Sequence, residues 1–363
     1  MRRSSITRQT VTAFVSATLF VVLAVLVAVL PVPYVTWAPG QAHDVLATDG
    51  EPIITIADAQ TYPTAGQLDL TVVSTTTADS RLSLPQALVA YWRPHHDALP
   101  REAIYPPGRT ADEVESADAE MMVSAQDDAA VAALKAHGDR VDVLPAVASV
   151  TVGSPAQGRL RPGDLIRSVG GTDTPTVEDV QAAVRRAEVD VPLAFEVLRD
   201  KVPVEATVEP ARQSSGAGVQ IGITLGTGFS YGPRISYDLG QKIGGPSAGL
   251  VFALAIYDKL TPGELLAGQH VAGTGTIDPA GHVGGTGTID PEGVVGGIGG
   301  IQEKIAGAEE AGATTFLVPA PNCDDLAGVR TSMRLVRVAS LDDAIRAVQL
   351  LGSPGQEGQV PTC

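Results

Sequence analysis

The chain is 363 residues long, 44% of them apolar, with a formal net charge of −16. That length allows two or three domains with cores of their own. The acidity, with no Lys/Arg-rich block and no interleaving of basic and aromatic residues, excludes the phosphate-binding surface that a nucleic-acid partner would need.

Residues 1–10 carry Arg2, Arg3 and Arg8, and residues 11–30 (VTAFVSATLFVVLAVLVAVL) hold no charge at all. Twenty such residues make a helix about 30 Å long, enough to cross a bilayer core. Asp44, Asp49 and Glu51 follow on the other side. The charge asymmetry predicts a single-pass signal anchor over 11–32, with the N-terminus in the cytoplasm and the rest of the chain outside it at the cell membrane. The apolar run is longer than the ~7–15 residues of a cleaved leader; cleavage would instead give a secreted protein. Two cysteines, Cys323 in a Pro/Asn loop and Cys363, suit an oxidising compartment. A bridge between them would close a loop of ~40 residues and stabilise by roughly 4 kcal/mol.

Residues 34–136 are a β-rich connector region. ITIADA and LDLTVVSTTT look like strands, and LPREAIYPPGRTADEVESADAEM reads as a Pro-interrupted acidic stretch running into a helix. His95, His96 and Asp97 are adjacent, but consecutive residues of an extended chain point opposite ways, and no other ligand cluster accompanies them. They read as a solvated loop, and no metal is expected.

Residues 138–210 pattern as a small β-rich module. The strand ASVTV meets GSPAQGRLRPGDLIRSVGG, in which Gly163-Asp164 makes a turn and Gly170-Gly171 closes a hairpin. Thr176 caps a helix with Val177, Val180 and Val184 on one face, and PLAFEVLR and VPVEATVEP follow as strands. The SPA…LRPGD…I pattern resembles the PDZ family, specifically the kind attached to bacterial proteases. The resemblance implies capture of an extended peptide or C-terminus by strand addition. The receiving loop is expected near Val143, Leu144 and Ala146, without the family's glycine-rich form.

Residues 215–350 alternate strands and helices. SAGLVFALAIYDKLT, IQEKIAGAEEAG and SLDDAIRAVQLL read as helices, TTFLVP as a strand, and 351–363 as a tail. Two stretches could carry chemistry. In KIGGPSAGL, Ser247 stands at the start of an apolar helix, where its hydroxyl could serve as a cap or as a nucleophile beside unpaired N–H groups able to hold an oxyanion. Gly244 and Gly245 leave room for a substrate backbone. No histidine lies in a setting that would make it the base. In GGIGGIQEKIAG, Lys304 shares a helical face with Ile301, Ile305 and Ala308, an apolar setting that could keep an amine neutral. The alternative is a solvated lysine near Glu303.

Together, GPSAG, TGTID, IGGI-x-EK, AGA and VP with Asn322 resemble the proteolytic domain of the Lon family of Ser-Lys peptidases. The resemblance implies an α/β (α+β) domain, Ser247 as nucleophile, Lys304 as general base, and Gly245, Pro246 and Ala248 as the loop around the nucleophile. Gly244 stands where ATP-dependent members carry an acidic residue. No G-x-x-x-x-G-K-[ST] occurs in the chain, so no phosphate-cradling loop is expected, nor any cofactor. The whole then resembles membrane-anchored, PDZ-containing Lon-like peptidases, which implies ATP-independent cleavage of unfolded, small or membrane-tethered proteins and, by family habit, assembly into a homo-oligomeric ring. A catalytically impaired, membrane-anchored PDZ scaffold is the alternative.

Between Ser247 and Lys304 the chain repeats itself: HVAGTGTIDPAG (270–281), then HVGGTGTIDPEG (282–293). Two copies are too few for a solenoid. They read as a twelve-residue insertion in an active-site hairpin, and because twelve is even, either copy presents the same face. The family's supporting threonine is therefore Thr274 or Thr286.

Overall fold

The computed structural model describes residues 8–47, 52–77, 79–212, 218–239, 243–278 and 293–363. These fall into two compact units: His137–Arg234, and the remainder on both sides of it. The larger unit begins with the helix Arg8–Val29, which is long and apolar enough to cross a membrane and has no buried residue.

The larger unit is organised on a five-stranded sheet in the order Arg334–Val338, Thr315–Pro319, His270–Gly273, Gln67–Leu70, His43–Asp44. The first four strands are parallel and the last is antiparallel. A parallel sheet needs both faces covered, and the strand Thr315–Pro319 is buried at every position. Phe316 and Val318 pack against Ile301, Ile305 and Ala308 of the helix Ile301–Glu310. The helix Gly249–Leu260 is apolar on every face from Gly249 to Ile256 and is buried along that whole stretch. It runs alongside the sheet and packs against the closing helix Leu341–Gly352. Cys323 and Cys363 are joined in a disulfide, with Cα atoms 5.2 Å apart.

Residues 34–136, set apart in the sequence as a connector region, are part of this unit. They contribute two strands of the main sheet, the small sheet in which Tyr34–Pro39 pairs with Val73–Thr75 and with Asp97–Pro100, and the helix Ala111–His137, which buries Ala129 through Leu134. The twelve-residue unit at 270–281 supplies the strand His270–Gly273 and then Thr276–Asp278, which pairs with Val294–Gly296. Most of the second copy, including Thr286, lies outside the described residues.

The smaller unit holds an antiparallel sheet in the order Val202–Val208, Leu193–Arg199, Leu165–Val169, Asp142–Val150, Ile223–Ser230. Gly170 and Gly171, both at positive φ, join Val169 to Thr172 in a two-residue hairpin. Thr176 caps the helix Val177–Arg186 reciprocally with Asp179, and Val180 of that helix enters a core with Phe195, Val197 and Ile166.

Two expectations change here. Val143, Leu144 and Ala146 lie in a continuous strand, not in a receiving loop, and pair with Phe229, Gly228 and Gly226. The strand Ile223–Ser230, placed by the sequence in the following domain, instead adds to this sheet alongside Asp142–Val150, the strand that holds the expected receiving residues. Its alternating pattern completes the sheet beyond the region that the PDZ-like motif marks.

Candidate active site

Ser247 sits in the short 3₁₀ turn Pro246–Ala248 that opens the buried helix Gly249–Leu260. The turn is entered through Gly245 at φ 86°, a conformation that favours glycine. Gly245 donates its N–H to the Asp118 carbonyl at 3.1 Å, which ties the loop to the helix Ala111–His137. Lys304 stands one turn into the helix Ile301–Glu310. The start of that helix is fixed by Gly300 at φ 68°, where a Cβ would come within 2.6 Å of Val73 Cγ2.

These elements bring the two residues together. Lys304 Nζ lies 2.9 Å from Ser247 Oγ and 3.1 Å from Thr274 Oγ1. Thr274, fully buried, donates its hydroxyl to the Ser247 carbonyl at 3.1 Å. The loop is clamped again by Gly275, whose N–H donates to the Ser247 carbonyl at 2.9 Å and whose carbonyl accepts from Leu250 N–H at 3.0 Å. The first copy of the repeat thus supplies the threonine beside the lysine.

Lys304 is 4% exposed, and burial depresses its ammonium from the ordinary 10.5 to about 8, against the opposing charge of Glu303. About a tenth of the lysine is then neutral at pH 7, enough to act as a base. The Glu303 carboxyl is itself pushed up, first by burial and then by the neighbouring carboxylate of Asp97.

A cleft of about 420 Å³ opens beside Ser247, walled by Leu70, Val72, Val73, Met122, Ile243 and Ile298, with Trp37 at its side. Gly244 lines it too, in contact distance of the Asp118 side chain for any Cβ placed there. Asn322 holds one rim: it accepts from Ile298 N–H and donates to the Ile298 carbonyl, both at 2.9 Å. Sequence reading missed the wall contributed by Trp37, Leu70, Val72, Val73 and Met122. Local patterning carries no signal for it, because these residues reach the cleft only through long-range strand pairing and helix packing. Asn322 stood in the motif without a role.

Residues 122–209 match the family model of the PDZ domain, and residues 242–350 match that of the Lon protease (S16) C-terminal proteolytic domain. Lon protease 1 of Myxococcus xanthus is 34% identical over 122 residues, covering 32% of this chain and 13% of its own. The Lon protease of Heliobacterium modesticaldum is 34% identical over 121 residues, with the same shares. This chain therefore spans about an eighth of the length of these relatives. The PDZ domain of an SdrC-like protein from Listeria innocua is 23% identical, covers 23% of this chain and 92% of its own, and superposes with a TM-score of 0.21. The chain thus holds a match to the PDZ domain followed by a match to the Lon-type proteolytic domain.

Proposed function

We propose that this chain is a serine endopeptidase that hydrolyses peptide bonds of unfolded, small or membrane-tethered proteins without ATP, using Ser247 as nucleophile and Lys304 as general base. The carrying observation is the 2.9 Å approach of Lys304 Nζ to Ser247 Oγ in a site that lowers the lysine to about 8. Neutral Lys304 takes the Ser247 proton as Oγ attacks the peptide carbonyl. The developing oxyanion meets backbone N–H groups of the turn Pro246–Ala248 itself, since those of Gly249 and Leu250 already donate to the Pro246 and Gly275 carbonyls. Lys304 then passes the proton to the departing amine, leaving an acyl-serine. Water, deprotonated by the same lysine, attacks the ester, and the collapsing intermediate returns the proton to Ser247.

Thr274 orients the amine: its oxygen takes one Nζ–H, which leaves the nitrogen lone pair directed at Ser247 Oγ. The helix Arg8–Val29 anchors the chain in the membrane with the catalytic unit outside the cytoplasm, a reading supported by the charge-free run over residues 11–30 and by Arg2, Arg3 and Arg8 before it. The PDZ domain recruits protein substrates. Because Ile223–Ser230 covers the edge of Asp142–Val150, a peptide strand has to add to the outer edge of Ile223–Ser230 or displace it.

The test is hydrolysis of an unfolded protein such as casein by the full chain, without nucleotide. Wild type cleaves, while Ser247→Ala and Lys304→Ala do not. Absence of cleavage by every form, with peptide binding intact, would leave an anchored PDZ scaffold in its place.

A further inference from the structure

The short helix Leu84–Trp92 (LPQALVAYW) is inverted for a protein surface. Its buried residues are the small Ala87 and Ala90, while Leu88, Val89, Tyr91 and Trp92 are 39%, 56%, 66% and 73% exposed. In water an outward face of leucine, valine and two aromatic rings costs free energy in proportion to its apolar area. Gln86 is the one hydrogen-bonding side chain on the helix apart from the Tyr91 hydroxyl and the Trp92 indole.

The position of this helix says what covers the face. The chain leaves the helix Arg8–Val29 into the strand Pro31–Val32, which pairs with Leu82–Ser83 in the register Pro31↔Ser83 and Val32↔Leu82. The next residue after Ser83 begins the inverted helix, which also packs against the anchor helix itself. The start of Leu84–Trp92 is thus pinned beside the point where the chain emerges from its apolar span. Charge agrees: in a chain with 41 acidic residues, none falls between Asp79 and Asp97, and Arg81 and Arg93 bracket the helix, both exposed. Tyrosine and tryptophan favour the boundary between headgroups and acyl chains, and arginines beside them reach lipid phosphates.

We infer that Leu84–Trp92 is an interfacial helix that lies in the outer surface of the bilayer, with Leu88, Val89, Tyr91 and Trp92 among the lipids and Arg81 and Arg93 at the phosphates. The inference rests on the anchor reading of Arg8–Val29. It gives the unit a second attachment beside the span, and so a fixed tilt in place of a free tether. Trp37, on the cleft wall, is eight residues from the end of the anchor helix, at most about 29 Å of extended chain. The cleft is thereby held near the bilayer, where it meets chain segments close to the membrane surface.

The two tryptophans, Trp37 and Trp92, allow a direct test. The full chain is reconstituted in phosphatidylcholine–phosphatidylglycerol vesicles with plain or brominated acyl chains. Flotation after a high-salt wash reports the anchor, and tryptophan emission reports depth. Trp37→Phe, which leaves Trp92 alone, should lose emission about twofold or more in brominated vesicles, as expected for a ring at the acyl boundary; Trp92→Phe should lose little. If Trp37→Phe does not fold, the difference between wild type and Trp92→Phe gives the same reading. Vesicles that float with the protein while Trp92 is unquenched would overturn the interfacial helix and leave the anchor standing. If Trp92 is then also shielded from aqueous iodide, another protein chain covers the face. Failure to float would overturn the anchor, and the interfacial helix with it.

Discussion

Thr274 is held to Ser247 through the backbone: its hydroxyl donates to the Ser247 carbonyl at 3.1 Å while its oxygen lies 3.1 Å from Lys304 Nζ. One side chain therefore fixes both the loop that presents the nucleophile and the amine that is to deprotonate it. Thr274→Val keeps the shape and removes the hydroxyl. It should lower kcat about 10- to 100-fold with KM little changed, the worth of one hydrogen bond to a charged group, and Thr274→Ser should restore most of the loss. Deleting residues 282–293 removes the second copy and should leave activity intact. A folded but inactive deletion product would show that the second copy is needed.

The pH profile follows from Lys304. Its pKa is depressed to about 8 by burial, and the base form is the active one, so kcat/KM should rise about tenfold per pH unit below 8 and level off above it. Glu303 opposes that depression. Glu303→Gln should therefore move the acid limb to lower pH, a change that kinetics across pH 5 to 10 would read. An acid limb unmoved by the substitution would remove Glu303 from the control of the lysine.

The same burial has a stability cost. A lysine titrating near 8 when folded and at 10.5 when unfolded binds fewer protons in the folded state, so stability rises with pH between those values. Below pH 8 the penalty is fully present, on the order of 3 kcal/mol from the size of the shift. Lys304→Met should thus be inactive yet more stable than wild type at pH 7, with the gap closing as pH approaches 10. Denaturant unfolding at several pH values measures it.

The residues that carry the proposed chemistry were legible because they are local: GPSAG around Ser247, the Glu303-Lys304 pair on an amphipathic turn, and the helices Gly249–Leu260, Ile301–Glu310 and Leu341–Gly352 with their continuous apolar faces. What was not legible is non-local. Gln67–Leu70 is only four residues long, too short to show a period, and its place beside His270–Gly273 depends on a pairing across some 200 residues. Trp37 and Val73 reach the cleft through the same kind of pairing. Ile223–Ser230 misled for the same reason, since a strand's sequence does not name the sheet it joins. The choice between Thr274 and Thr286 was undecidable because both copies carry the same GTGTIDP; Thr274 is hydrogen-bonded to Lys304, while Thr286 lies outside the described residues.

The disulfide should matter to the larger unit. Cys323–Cys363 closes a 40-residue loop that includes the edge strand Arg334–Val338 and the helix Leu341–Gly352. Cys363→Ser should cost about 4 kcal/mol in the chain-entropy account, seen as a lower thermal midpoint that reducing agent reproduces in wild type. Equal midpoints with and without reductant would mean that the bridge contributes nothing.

The central claim is that Lys304 activates Ser247, and covalent labelling tests it most directly. The full chain is treated at pH 8 with a fluorophosphonate, which phosphonylates an activated serine hydroxyl with loss of fluoride, and the adduct is located by peptide mass spectrometry. The account predicts a single adduct on Ser247 in wild type, lost in Lys304→Met although that protein remains folded. Labelling of Ser247 at an unchanged rate in Lys304→Met, or an adduct on another residue in wild type, would contradict it.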